Sequence, residues 1–172
     1  QAKEHLQACG GNYFAALLDL NLPDAQKGEI VELVTSHGIA AIVFTGEFSD
    51  DLRDTMWSKR IVDYVLKNNP DNVNVVLGLL KRLKSNIGKK VLIADDSSTN
   101  RSLIRSLLEA WNYTVLEAKD GIEAVRILRS ENGICLMITD YNMPRMDGVR
   151  LIQEARQTVG LSKSRLPIIG LS

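Results

Sequence analysis

The sequence predicts an α/β protein built on mainly parallel sheets, and three observations carry that expectation. Short, continuous apolar runs recur, as in Ala40 to Phe44, Val91 to Ala94 and Ile134 to Ile138; strands covered on both faces read this way. Between them lie capped segments with apolar residues at helical spacing, and the alternation implies right-handed crossovers with helices on both faces of a sheet. One grammar also occurs twice: Leu17 to Pro23 and Ile138 to Pro144 each run from a strand into Asp-x-Asn-x-Pro, about 120 residues apart. A repeat at that distance predicts two copies of one domain.

The bulk numbers agree. A chain of 172 residues holds one ordinary domain or two small ones, and 45 % apolar with 24 % charged residues is an ordinary globular composition. Lys plus Arg equals Asp plus Glu at 21 each, so no net charge points to nucleic acid or an anionic membrane. Cys9 and Cys135 form no disulfide framework or paired metal motif, and His5 and His37 have no partner pattern, which argues against zinc. Cys135, inside a strand run, reads as a small buried hydrophobe. No run has membrane-spanning length and no signal peptide opens the chain, so a cytoplasmic setting is expected.

In order, Gln1 to Cys9 reads as a short helix stopped by Gly10, Gly11 and Asn12. Tyr13 to Leu18 is a strand ending at Asp19, and Pro23-Asp24 a turn. Residues 25–36 carry Ile30, Val31 and Val34 at helical spacing. Ala40 to Phe44 is a strand ending at Thr45-Gly46. Ser49, Asp50 and Asp51 cap a helix to about Trp57. Ile61 to Leu66 is a strand ending at Lys67. Asn69 or Asp71 caps a helix with Val73, Val76, Leu79, Leu80 and Leu83 inward. Asn86-Ile87-Gly88 reads as a linker. Val91 to Ala94 then leads into Asp95-Asp96. Ser97, Ser98 and Thr99 cap a helix with Leu103, Ile104, Leu107 and Leu108 on its core face. Tyr113 to Ala118 is a strand, Asp120-Gly121 a turn, and Ile122 to Arg129 a helix. Cys135 to Thr139 is the strand before Asp140. A helix from about Val149 to Gln157 and a strand from Leu166 to Leu171 complete the chain, which stops at Ser172.

The chemistry sits at the strand ends, where open α/β sheets bind ligands. Asp95, Asp96 and Asp140 converge if the strands that carry them are neighbours. Carboxylates that close raise one another's pKa, and a hard divalent cation such as Mg²⁺ relieves the repulsion with oxygen ligands. A carboxylate can then serve as nucleophile towards a phosphoryl donor and form an acyl phosphate. Ser172 offers a hydroxyl to a phosphoryl oxygen. In the first copy Asp19 is the would-be nucleophile, Thr45 the hydroxyl and Lys67 the cation, with Tyr64 an aromatic nearby. Taken singly each residue has a plainer reading: a turn acid, a helix cap, a solvated lysine, a sheet-surface aromatic. The joint pattern, repeated, favours a site.

Val91 to Arg101, Ile138 to Gly148 and Pro167 to Ser172 together resemble the receiver domain of bacterial two-component response regulators, over residues 89–172. The resemblance implies a flavodoxin-like doubly wound sheet of order 2-1-3-4-5. It implies Asp140 as phosphoacceptor, Asp96 and Asp140 as direct Mg²⁺ ligands, Asp95 acting through water, the Asn142 backbone carbonyl as a further ligand, and Ser172 as the switch hydroxyl. Residues 1–86 resemble the C-terminal part of a first receiver, in which Asp19, Thr45, Tyr64 and Lys67 match the acceptor, switch hydroxyl, switch aromatic and lysine. Two departures mark this copy: Asn68 stands where a Pro usually follows the Lys, and Gln26-Lys27-Gly28 replaces Met-Asp-Gly. Residues 87–172 then form the N-terminal part of a second receiver. Both copies read as partial, so a piece of a longer tandem-receiver protein is expected; the alternative is that the two halves complete each other in one composite fold.

The function this implies is that of a phosphorelay regulator. A histidine kinase or histidine phosphotransfer protein would donate to Asp140, with Asp19 a second candidate acceptor. Phosphorylation would switch an output outside this chain, a cyclic-dinucleotide (GGDEF-type) synthase being one candidate. The helix from about Asp71 to Ser85 is a candidate rigid joint or homodimer surface. No enzyme, nucleic acid partner or membrane partner is expected. Two other classes compete. A Mg²⁺-dependent aspartyl phosphohydrolase needs a second acid two residues after the nucleophile, where this chain has Asn142 and Asn21. A phosphorylation-independent interaction module is the competing reading of the N-terminal copy.

Overall fold

A computed structural model describes Leu6 and residues 13–21, 28–46 and 49–172. Apart from Leu6, the expected helix at Gln1 to Cys9, its stop at Gly10 to Asn12, the Pro23-Asp24 turn and Gln26-Lys27 lie outside the described residues. The chain divides into two compact units, residues 1–87 with 110–112, and residues 88–109 with 113–172.

The first unit runs β1 (Ala15–Leu18), α1 (Glu29–Ser36), β2 (Ala40–Thr45), α2 (Asp50–Ser58), β3 (Asp63–Leu66) and α3 (Asn72–Asn86). Its strands form a parallel sheet of order β1-β2-β3. The two-residue period of β2 divides its side chains between two cores. Ala41 and Val43 join Val31, Val34 and Met56 on one face, while Ala40 and Ile42 join Val65, Val76, Leu79 and Leu83 on the other. Ser49 caps α2, its hydroxyl accepting from the Leu52 amide at 3.4 Å.

The second unit runs β4 (Lys90–Ala94), α4 (Ser98–Ala110), β5 (Thr114–Ala118), α5 (Gly121–Ser130), β6 (Ile134–Asp140), α6 (Gly148–Gln157) and β7 (Ile168–Leu171). All pairings are parallel and the order is β5-β4-β6-β7. Counted within the unit, that is 2-1-3-4, the flavodoxin-like order. Leu92 and Ala94 pack with Val125, Leu128, Met137 and Leu151 under α5 and α6. Asp120 and Asp147 cap those helices, accepting from the Glu123 and Arg150 amides at 2.9 and 2.8 Å.

Several expectations need correction. The described strands make two separate sheets, so the halves do not merge into one composite sheet within the chain: consecutive strands close their own crossovers first. Helix α4 has no fully buried residue, and Leu103 and Leu107 are 61 % and 55 % exposed. Each residue turns the helix by about 100°, so the half-buried Ile104 and Leu108 face inward and their predecessors swing away. Val73 is exposed as well; side chains lean towards the helix start, and a first-turn residue reaches past the packed surface. Asn86 is no linker residue but the last residue of α3, and buried. Cys135 is half-buried, not buried.

Candidate functional site

The site follows from where β4 and β6 stop. They are hydrogen-bonded neighbours with Ala94 opposite Thr139, so Asp95, just past β4, and Asp140, the last residue of β6, emerge side by side. Asp96 joins them. One carboxylate oxygen from each of Asp95, Asp96 and Asp140 lies within 4.8 Å of the others. Asp95 is buried, Asp140 half-buried and Asp96 exposed, so the group grades from the sheet end to solvent.

Local hydrogen bonds hold each acid. Asp95 Oδ1 accepts from the Ser97 amide at 2.7 Å, and the Ser97 hydroxyl accepts from the Asn100 amide at 3.4 Å. The helix-cap reading of this stretch is therefore also true, and it uses Ser97 rather than Asp96. Arg101 donates to the Asp95 carbonyl at 2.7 Å and contacts Glu117, which Arg105 also pairs at 2.7 Å. Asp140 Oδ1 accepts from the Tyr141 amide at 2.8 Å, which sets the carboxylate's rotamer. Among the described residues none of the three carboxylates is in an ion pair with a basic side chain: Arg101 meets the Asp95 backbone. Three hard oxygen donors with uncompensated charge suit a divalent cation that keeps some of its waters.

The turn after Asp140 depends on Gly148. A Cβ there would lie 2.2 Å from the Asp140 carbonyl oxygen and 3.3 Å from Thr139 Oγ1, while the Gly148 amide donates to the Tyr141 carbonyl at 3.1 Å. Asn142 is exposed within this turn. On the far side of β6, Leu171 lies opposite Asp140 and its carbonyl accepts from the Tyr141 amide at 3.0 Å. Ser172, the next residue, is exposed and lies just past the end of β7.

In the first unit, Asp19 follows β1, Thr45 ends β2 and Lys67 follows β3, so the three parallel strands present them at one end of the sheet. Lys67 Nζ meets Asp19 Oδ2 at 2.5 Å, and its charge sits 5.6 Å from the Phe44 ring centre. The Lys67 hydrogen bond, then that of the Asn21 amide, holds the Asp19 carboxyl below its ordinary pKa. Thr45 is buried, and Tyr64 packs partly buried against the core around Met56. Among the described residues, no second group of acids converges as Asp95, Asp96 and Asp140 do.

Sequence reasoning missed three supporting groups. Arg101 lies in the quoted motif, but its contact with the Asp95 carbonyl needs the helix to turn back on the loop. Asp120, a turn residue by its sequence, is 1 % exposed and pairs with Arg145. Arg145 adopts a left-handed backbone, φ 66°. No sequence period links two loops from different crossovers.

Residues 91–172 match the family model of the response regulator receiver domain. The sensor histidine kinase RcsC of Escherichia coli is 37 % identical over 102 residues, 59 % of this chain and 10 % of that protein. A CheY homolog of Campylobacter jejuni is 41 % identical over 68 residues, 39 % of this chain and 52 % of that protein. The chain thus spans a tenth of the kinase and about half of the chemotaxis protein. A solved two-component system response regulator/GGDEF domain protein superposes with TM-score 0.82 at 35 % identity, over 99 % of this chain and 69 % of that one. Among the described residues no helix is long and apolar enough to cross a membrane. With its sheet order, its strand-end acids and relatives of this coverage, the chain belongs to the receiver-domain family of two-component response regulators.

Proposed function

We propose that Asp140 accepts a phosphoryl group from the phosphohistidine of a histidine kinase or histidine phosphotransfer protein. The observation that carries this is the convergence of Asp95, Asp96 and Asp140 within 4.8 Å at the ends of two paired strands. An Asp140 carboxylate oxygen attacks phosphorus in line; the P–N bond breaks, its electrons return to the imidazole, and an acyl phosphate forms. Asp96 and Asp140, with the Asn142 carbonyl, would hold Mg²⁺ directly and Asp95 would hold its waters. When bound, the ion supplies neutralisation of the oxygens of the transferring group. Tyr141 keeps the nucleophile oriented through its amide. Ser172 donates to a phosphoryl oxygen, and that bond biases the β7 end of the sheet towards a second state.

Residues 1–86 are, in this reading, the C-terminal part of a first receiver and residues 87–172 the N-terminal part of a second. Asp19 is a second acceptor, with Thr45 as hydroxyl, Lys67 as phosphate-binding cation and Tyr64 as switch aromatic. The GGDEF domain named in the solved relative makes a cyclic-dinucleotide synthase the output we propose for the full protein. A chain that receives phosphate and passes on a conformational state needs no turnover of its own.

The test is labelling by acetyl phosphate with MgCl₂ in wild type, Asp140→Asn, Asp19→Asn and the double variant. Loss of most label in Asp140→Asn is the expected result. Full label in Asp140→Asn with none in Asp19→Asn would move the acceptor to the first unit. Equal label in all four proteins would remove the proposal. Release of phosphate from a generic phosphomonoester at many turnovers would instead indicate a phosphohydrolase.

A further inference from the structure

The acceptor turn is held from a second loop, and the device that holds it is an ion pair of uneven burial. Asp120, between β5 and α5, is 1 % exposed. Its Oδ1 serves the helix, accepting from the Glu123 amide at 2.9 Å. Its Oδ2 pairs with Arg145, whose side chain is 54 % exposed. Arg145 lies in residues 141–147, the turn that begins at the acceptor and contains Asn142. Its φ of 66° is left-handed, a conformation that costs a non-glycine residue energy and persists where surrounding contacts over-determine it. The same two loops meet a second time: the Gly121 amide donates to the Met146 carbonyl at 3.2 Å. A Cβ on Gly121 would lie 2.7 Å from that carbonyl oxygen.

We propose that Arg145 is a positioning residue of the acceptor site. By pairing with buried Asp120 it holds the 141–147 turn in the one conformation from which Asp140 and Asn142 serve a cation together with Asp95 and Asp96. The physical logic is preorganisation. The turn is anchored at one end by β6, through the Tyr141 amide on Leu171, and at the other by the Asp147 cap of α6. Its middle belongs to no strand or helix; Met143 is buried in the core and Met146 packs against that core, while the backbone around Arg145 is left to other contacts. A guanidinium over a buried carboxylate supplies that restraint, because separating the pair would leave a charge buried without a partner. Ligand groups held this way bind metal more tightly than groups that must be ordered on binding, and outer supports of metal sites carry about 10- to 100-fold in affinity.

The inference rests on the acceptor-site reading, so the experiment separates the two. Mg²⁺ alone is titrated into the full chain, and the amide resonances of Asp95, Asp96 and Tyr141 report its Kd. The variants are Asp120→Asn, Arg145→Met and both together. Each single change leaves one member without its partner and can impair folding. The double change removes both charges, so it leaves none unpaired and keeps the fold testable. The expected result is a Kd raised roughly tenfold in the double variant, with any folded single variant no better and no additive worsening. A double variant that binds Mg²⁺ as wild type does, or single effects that multiply in it, would overturn the positioning role while leaving the site intact. A wild-type protein whose three reporter amides do not respond to Mg²⁺ would overturn the site and the positioning role together.

Discussion

Replacing Gly148 by Ala tests how tightly the turn after Asp140 is closed. The added Cβ would lie 2.2 Å from the Asp140 carbonyl oxygen, 3.2 Å from its carbonyl carbon and 3.3 Å from Thr139 Oγ1. The nearest atoms are backbone, so no side-chain rotation relieves the contact; β6 and the start of α6 must separate. Overpacking of this kind costs about 1–3 kcal/mol. Loss or lengthening of the 3.1 Å bond from the Gly148 amide to the Tyr141 carbonyl adds about 1 kcal/mol. Ala is the better helix former by up to about 1 kcal/mol, which offsets one of those terms. The net expectation is a loss of about 2 kcal/mol. Read by hydrogen exchange of the β6 amides, that is roughly 30-fold faster exchange through global opening of the second unit. The amides of β2, in the first unit's separate sheet, are read in the same experiment for comparison. Unchanged β6 protection in Gly148→Ala, with wild-type Mg²⁺ binding, would refute the claim that Gly148 sets the turn after Asp140.

Asp95→Asn and Asp96→Asn should each weaken Mg²⁺ binding by tenfold or more, about 1.4 kcal/mol, as measured by calorimetric titration; Asp63→Asn, in the first unit, should have no effect. Asp95→Asn should also keep its fold, because an Asn oxygen can still accept from Ser97. In the first unit the Asp19 carboxyl lies below its ordinary pKa because of Lys67. The stabilisation from that pair is therefore fully present above about pH 4 and is lost as the pH falls through the lowered folded-state value. Both partners are more than a third exposed or close to it, so the contribution is at most about 1 kcal/mol. Lys67→Met should raise the Asp19 pKa in a carboxyl-carbon NMR titration, and an unmoved titration would contradict the pairing. Asp147→Ala should cost about 1 kcal/mol through loss of the α6 cap, seen as faster exchange of the Arg150 amide.

Much of the fold was legible because each strand carries its own punctuation. Val91 to Ala94 is continuous, apolar and stopped by two acids; Ile134 to Thr139 is stopped by Asp140 and a proline turn. The helix start at Ser49 follows from a side chain that can accept from a free amide; Asp120 and Asp147, which read only as turn residues, cap their helices in the same way. What was not legible depends on what covers a surface. Leu103 and Leu107 share an apolar stretch with Ile104 and Leu108, and periodicity cannot say that only the second pair is half-buried. Asn86, Ile87 and Gly88 look like a break, and the two units do divide between Ile87 and Gly88; what the sequence does not show is that Asn86 still belongs to α3 and is buried, the left-handed residue being Gly88, φ 80°. At the site, the acids at the strand ends could be named from the sequence, because one covalent neighbour and one sheet pairing place each of them. Arg101 and the Asp120–Arg145 pair could not, since they join loops through space with no spacing rule to announce them.

The central claim, that Asp140 is the phosphoacceptor, is tested most directly by trapping the acyl phosphate. The protein is treated with acetyl phosphate and MgCl₂, reduced with borohydride so that an aspartyl phosphate becomes homoserine, and mapped by peptide mass spectrometry. The account predicts homoserine at position 140, dependent on Mg²⁺ and diminished in Asp96→Asn. Homoserine at Asp95, Asp96 or another acid while Asp140 remains intact would contradict it.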